Sequence, residues 1–266
     1  MVCHRILWSL LILGVPLAIK RDWGWAVELR ADRRLIGKIA LAASVLCVNW
    51  LVYIWAATHG HVVEGALGYF INPLIVIVVG VGVLGERLRR LQWFAVTCGI
   101  VAVAVLTVAY GRVPWISLVL AASFASYGFL KRQIPLTSLQ SLAAETAVLA
   151  PLAVVTLVIL EATGHARFGT TGLGVALWLA LAGPVTAVPL LWFGVAARRL
   201  PYSTIGLLQY VTPVLQLLCG VVVLHESMPA ERWIGFGIVW IGLAALVTDG
   251  VTTQRAAALP LPVADL

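Results

Sequence analysis

The chain of 266 residues is 62% hydrophobic and 11% charged, with a mean hydropathy of +1.02, against about 45–50% apolar and about 25% charged in a soluble domain. That much apolar surface exceeds what a single core buries, so a water-soluble fold is excluded and lipid is the solvent. The net charge of +7 comes from Lys and Arg placed in small groups between apolar runs; a basic face interleaved with aromatics is absent, and no nucleic-acid partner is expected.

Apolar windows of about 20 residues predict membrane helices in chain order. They fall over residues 5–20, 37–57, 65–85, 92–110, 115–131, 139–160, 173–196, 203–225 and 232–249, nine in all. The first run, Ile6 to Ile19, has no small-residue cleavage site and leads into Lys20-Arg21, so it reads as a membrane segment rather than a secretory signal. With Met1 on the outer side, the inner segments hold Lys20, Arg21, Arg30, Arg33, Arg34, Lys38, Arg87, Arg89, Arg90, Lys131, Arg132, Arg198, Arg199 and Arg255. The outer segments hold only Arg5, Arg112, Arg167 and Arg232. This bias places the carboxy terminus in the cytoplasm, with residues 251–266 as a disordered tail.

Sliding the chain against itself by 140 residues superposes GYFINPLIVIVVGVGVLGE on LQYVTPVLQLLCGVVVLHE. Pro73 falls on Pro213, Gly80 on Gly220, Leu84 on Leu224, Glu86 on Glu226 and Trp93 on Trp233. Pro, Trp and Glu are scarce here, so the shared register indicates duplication. Arg87, Arg89 and Arg90 end the first proline-containing helix inside, whereas its counterpart ends near His225 and Glu226 in a segment with only Arg232. The two copies, residues 1–110 and 111–250, are therefore expected to run oppositely through the bilayer. The fold class is an all-α polytopic bundle of inverted repeats, in which a substrate site near the midplane is expected. The offset also places the partner of helix 115–131 before Met1, so a ten-helix unit is expected of which this chain lacks the first.

The stretch NWLVYIWAATHGHVVEGALGYFINPL, followed by GERLRRLQW, resembles the RarD type of the EamA family, within the drug/metabolite transporter superfamily. HRILWSLL looks like that family's second helix and PWISLVLAASFASYGFLKR like its sixth, and the resemblance runs along nearly the whole chain. It implies a ten-helix exporter or permease of small metabolites or drugs in a bacterial inner membrane. The departure is the missing first helix, which agrees with the repeat offset and makes an inactive fragment one alternative. A channel or a lipid-translocating relative is the other.

Ionisable residues within apolar spans are costly and mark candidate sites. Glu145 lies inside helix 139–160, and the offset sets it on Arg5, giving the two repeats opposite charges at equivalent positions. A protonation-coupled role is expected for Glu145, against a helix-capping or interface role. Asn49, Trp50 and Tyr53 sit mid-helix as candidate cavity lining, with Ser123 and Tyr127 four apart on another helix. Tyr69, Asn72 and Pro73 in one repeat, and Gln209, Tyr210, Pro213 and Gln216 in the other, put polar groups beside a helix-breaking proline. Each proline frees a carbonyl, which is tolerable at this depth only beside protein or a water-filled cavity. Glu64, Glu86 and Glu226 lie at span ends, where structural or gating roles are expected. Cys3, Cys47, Cys98 and Cys219 have no C-x-x-C spacing, and His59, His61 and Glu64 lack a fourth ligand, so no disulfide or metal is expected. GVGVLG at Gly80 to Gly85 lies within a membrane helix with no preceding strand and is not a dinucleotide site. No cofactor and no catalytic constellation are expected; the partners are a small-molecule substrate and membrane lipid.

Overall fold

In a computed structural model of the chain, the residues described are 1–21, 23–110, 114–164, 172–212, 215 and 230–258. They form ten α-helices and no strand: α1 (Val2–Lys20), α2 (Gly24–Ala31), α3 (Arg33–Thr58), α4 (Val62–Gly82), α5 (Arg90–Tyr110), α6 (Trp115–Gln133), α7 (Ser138–Ala162), α8 (Leu173–Arg199), α9 (Tyr202–Gln209) and α10 (Ala230–Ala258). Helices satisfy every backbone group within the segment, which lipid demands. Among the described residues, six stretches are long and apolar enough to cross a membrane: Val2–Lys20, Arg33–Thr58, Arg90–Val108, Ser138–Ala162, Gly174–Arg199 and Trp233–Thr252. α4 adds the shorter apolar stretch Leu67–Gly82.

Local chemistry sets the helix ends. α1 stops at Arg21, whose φ of 50° is left-handed and whose N–H returns to the Ala18 carbonyl. Asp32 starts α3 by accepting from Arg34 N and Leu35 N at 2.8 and 3.2 Å. Thr137 and Gln140 form a reciprocal capping box at the start of α7. Gly85, at φ 68°, turns the chain between α4 and α5 in a conformation that excludes most side chains.

Two elements depart from the sequence expectation. α2 lies in a segment that hydropathy assigns to an inner loop, because eight residues carrying Glu28 and Arg30 cannot fill a spanning window. α10 runs to Ala258 rather than ending at 249, so residues 251–258 of the expected tail are helical; residues 259–266 lie outside the described ones. The expected helix 203–225 is described as α9 and its immediate continuation. Pro213, Gln216 and Glu226 lie outside the described residues.

The chain divides into two compact units, Met1–Trp55 with Ser123–Leu200, and Ala56–Ala122 with Pro201–Leu266. Each draws helices from both halves of the sequence. The core of the first includes Leu13, Leu17, Ile39, Leu46 and Leu142. In it α1 packs on α7 and α8, running antiparallel to α8: Arg5 meets Thr186, and Ser9 donates to the Gly183 carbonyl. The core of the second includes Phe70, Ile77, Ala102, Leu207 and Val239, with α4 on α9 and α5 on α10.

In the second unit the helices that the sequence offset pairs run in opposite directions. The 140-residue offset makes α4 the counterpart of α9, and α5 that of α10. A Cβ on Gly80 would meet Ser203 N at 2.9 Å, and one on Gly206 would meet the Pro73 carbonyl at 2.8 Å. Residue number thus falls along α4 as it rises along α9. Leu106 lies against Gly235, Cys98 against Gly242, and Arg89 bonds Asp249. Both pairs of counterparts are antiparallel, the geometry of an inverted-topology repeat.

Candidate functional site

In the first unit, α6, α7 and α8 enclose a network of polar groups. Tyr127 and Lys131 are one turn apart on α6; Ser138, Ser141 and Glu145 share a stripe of α7 at helical spacing. Lys131 Nζ donates to Glu145 Oε1 and Ser141 Oγ, both at 2.8 Å. Ser141 Oγ donates to Glu145 Oε1 at 2.7 Å, and Tyr127 Oη to Glu145 Oε2 at 3.0 Å. The carboxylate therefore accepts from three side chains. All four residues are buried, which excludes the solvent that would otherwise stabilise either charge.

Packing closes the network from the α8 side. Phe193 lies 6.2 Å from the Tyr127 ring and 4.8 Å from Phe124. Gly194 leaves room for the cluster: a Cβ there would meet Ser138 Oγ at 3.1 Å and Lys131 Cε at 3.2 Å. Lys131 escapes sequence reading, because beside Arg132 at the end of a predicted span it reads as an inner-loop charge. The signal for it was the four-residue spacing Tyr127/Lys131 opposite Ser141/Glu145.

Other residues singled out in the sequence also fall in this unit. Arg5 Nε donates to Thr186 Oγ1 at 3.0 Å, and its guanidinium carbon lies 4.9 Å from the Trp50 ring centroid. Asn49 Nδ2 donates to Ser123 Oγ at 2.9 Å, tying α3 to α6. Trp50 is buried, whereas Tyr53 is exposed.

In the second unit, Asn72 and Pro73 lie on α4, with Tyr69 one turn before Pro73, and Gln209 and Tyr210 stand at the end of α9, which packs on α4. Asn72 Oδ1, Gln209 Oε1 and Tyr210 Oη are buried and have no hydrogen-bond partner among the described residues. Tyr210 reaches α5, where its hydroxyl occupies the space a Cβ on Gly99 would need. Buried polar atoms without partners are rare and costly, so this cluster is the second candidate for contact with a polar cargo.

The acidic residues at the ends of α4 serve helix starts. Glu64, 1% exposed, accepts from Ile116 N at 3.0 Å, and its carbonyl accepts from Ser117 Oγ at the start of α6. Glu86 accepts from Tyr202 N at 2.6 Å and Ser203 N at 2.7 Å at the start of α9. Each carboxylate occupies the positive end of a helix that follows a proline, Pro114 or Pro201. Asp249 on α10, not singled out in the sequence, binds Arg89.

The sequence profile of the EamA-like transporter family matches residues 1–108. A protein named RarD from Streptomyces exfoliatus is 54% identical over 254 residues, covering 96% of this chain and 81% of that protein. An uncharacterized transporter from Pseudomonas aeruginosa is 40% identical over 263 residues, covering 98% of this chain and 87% of its own length. Among solved structures, one crystal structure aligns with a TM-score of 0.65 at 19% identity, over 93% of this chain and 87% of the other.

Proposed function

Because the chain belongs to the EamA-like transporter family, in its RarD type, we propose that this membrane transporter exports small metabolites or drugs by alternating access of its inverted repeats. The observation that carries the reading is the Glu145 carboxylate, sealed with Lys131 inside a bundle of apolar helices. A buried pair of opposite charges is poor value for stability alone, since well-packed apolar residues serve as well or better. Its use here is a switch. A proton on Glu145 removes the charge that holds Lys131 and Tyr127 and so loosens α6 from α7. Export can then be driven by the proton gradient.

In this reading each unit is taken by itself: Asn49, Trp50, Ser123 and Tyr127 are the candidates for cargo contact in the first unit, and Tyr69, Asn72, Gln209 and Tyr210 are those of the second. Trp50 supplies an aromatic wall, and the amides and hydroxyls supply hydrogen bonds. The excess of Lys and Arg in alternate connections supports insertion in a bacterial inner membrane with a cytoplasmic carboxy terminus.

The test is flux of a labelled panel of neutral and charged metabolites into proteoliposomes under an imposed pH gradient. Saturable, competable flux that depends on the gradient and is lost in Glu145→Gln supports the proposal. Linear, non-saturable flux would identify a channel. Saturable flux indifferent to both the gradient and Glu145→Gln would remove the coupling role.

A further inference from the structure

The connection between α1 and α3 carries a surface that transport leaves unused. Trp25 and Leu29, four apart on α2, pack against the core of the first unit. Val27 and Arg30, three apart on α2, share the opposite face, and Trp23 stands just before the helix. Trp23 is 49% and Val27 70% exposed, and the Trp23 ring stacks 6.5 Å from Trp25. Lys20, Arg21, Arg33 and Arg34 are exposed around them. Among the acids of this segment, the Asp32 carboxylate is spent on Arg34 N and Leu35 N.

α2 joins the end of one membrane-crossing helix to the start of the next, so it lies at the level of the lipid headgroups whichever face of the membrane that is. A helix there with an exposed tryptophan at its start, a valine on its free face and arginines beside them has the composition of an interfacial anchor. Guanidinium forks match phosphate oxygens bidentately, and clustered basic residues beside a membrane helix attract anionic lipid. We infer that α2 and its flanks form a docking surface for anionic phospholipid. Trp23 and Val27 seat at the acyl boundary, while Arg30, Arg33 and Arg34 hold headgroup phosphates. If these arginines only biased insertion, they would show no preference among headgroups.

The test reconstitutes the full chain in phosphatidylcholine bilayers with spin-labelled phosphatidylglycerol or spin-labelled phosphatidylcholine, and reads the protein-immobilised fraction by EPR. The wild-type chain is expected to prefer phosphatidylglycerol, and the R30Q/R33Q/R34Q triple variant to lose at least about fivefold of that preference. Arg87→Gln with Arg90→Gln, also exposed and at the start of α5, is the control and is expected to keep it. Trp23→Ser removes no charge and serves if the triple variant does not reconstitute; it too is expected to lower the immobilised phosphatidylglycerol. Unchanged preference in the triple variant and in Trp23→Ser, or equal loss in the control pair, overturns the inference.

Discussion

Lys131 Nζ lies 2.8 Å from Glu145 Oε1 with both side chains 1% exposed, joining α6 to α7 by a pair of charges that solvent does not reach. Removing one partner leaves the other charge buried alone. Glu145→Leu is therefore expected to destabilise the protein by about 3–5 kcal/mol, and Lys131→Met by a similar amount. The double variant should recover most of that loss. Thermal unfolding of the four proteins in detergent micelles measures the cycle. In flux assays the recovered double variant should remain inactive if the pair is a coupling switch, and active if it is only a brace.

Arg89 and Asp249 should respond asymmetrically. The Asp249 side chain is 8% exposed while that of Arg89 is 50% exposed. Arg89→Ala removes a charged donor from a buried carboxylate and is expected to cost about 1–3 kcal/mol. Asp249→Ala leaves a guanidinium that can reach water, and should cost less than about 1 kcal/mol. Equal losses in a denaturation series would show that solvent access does not govern this pair.

Close approach of α1 and α8 rests on Gly183. A Cβ there would fall 2.5 Å from Trp8 Cβ and 2.8 Å from the Trp8 carbonyl carbon, neither of which is a flexible tip. Gly183→Ala is expected to lower stability by about 1–3 kcal/mol. Gly174→Ala on the same helix meets nothing within 4 Å and should be neutral or slightly stabilising. Melting temperatures of the two variants, compared side by side, check the contrast.

Glu86 ties the α4–α5 turn to the start of α9 through two backbone N–H groups. Glu86→Ala removes both acceptors from a positive helix end and is expected to cost about 1.5–3 kcal/mol. Glu86→Gln keeps one acceptor but loses the charge, and should fall between. Hydrogen exchange at Tyr202 and Ser203 should accelerate in the same order.

Tyr210 separates a structural role from a contact with cargo. Its hydroxyl is buried without a hydrogen-bond partner among the described residues. Tyr210→Phe removes a buried group that costs about 1–3 kcal/mol when unsatisfied, and should leave stability equal or higher. If the hydroxyl meets cargo, KM for transport should rise although the melting temperature does not fall.

The sequence exposed Glu145 because a carboxylate inside an apolar run stands out against its neighbours. It hid Lys131, since a lysine at the end of a span next to Arg132 looks like every other inner-loop charge. Asp249 went unremarked for the same reason, lying at a predicted helix end. α2 was missed because eight residues of mixed character fall below any spanning window. Glu64 and Glu86 were placed at span ends, but which helix each one caps is a question of distance in space.

By itself the sequence determined the solvent, the helical class and most spans, and it offered the 140-residue register that pairs one half with the other. These follow from quantities that read along one dimension: hydropathy over a helix-length window, and recurrence at a constant offset. Only the tertiary structure decided that α4 lies against its own counterpart α9, and α5 against α10. It alone decided that Lys131 neutralises Glu145, and that Glu64 and Glu86 end on the starts of α6 and α9. The physical reason is that ion pairs, caps and glycine contacts act over about 3 Å. The residues that make them are separated along the chain by lengths that no periodicity encodes.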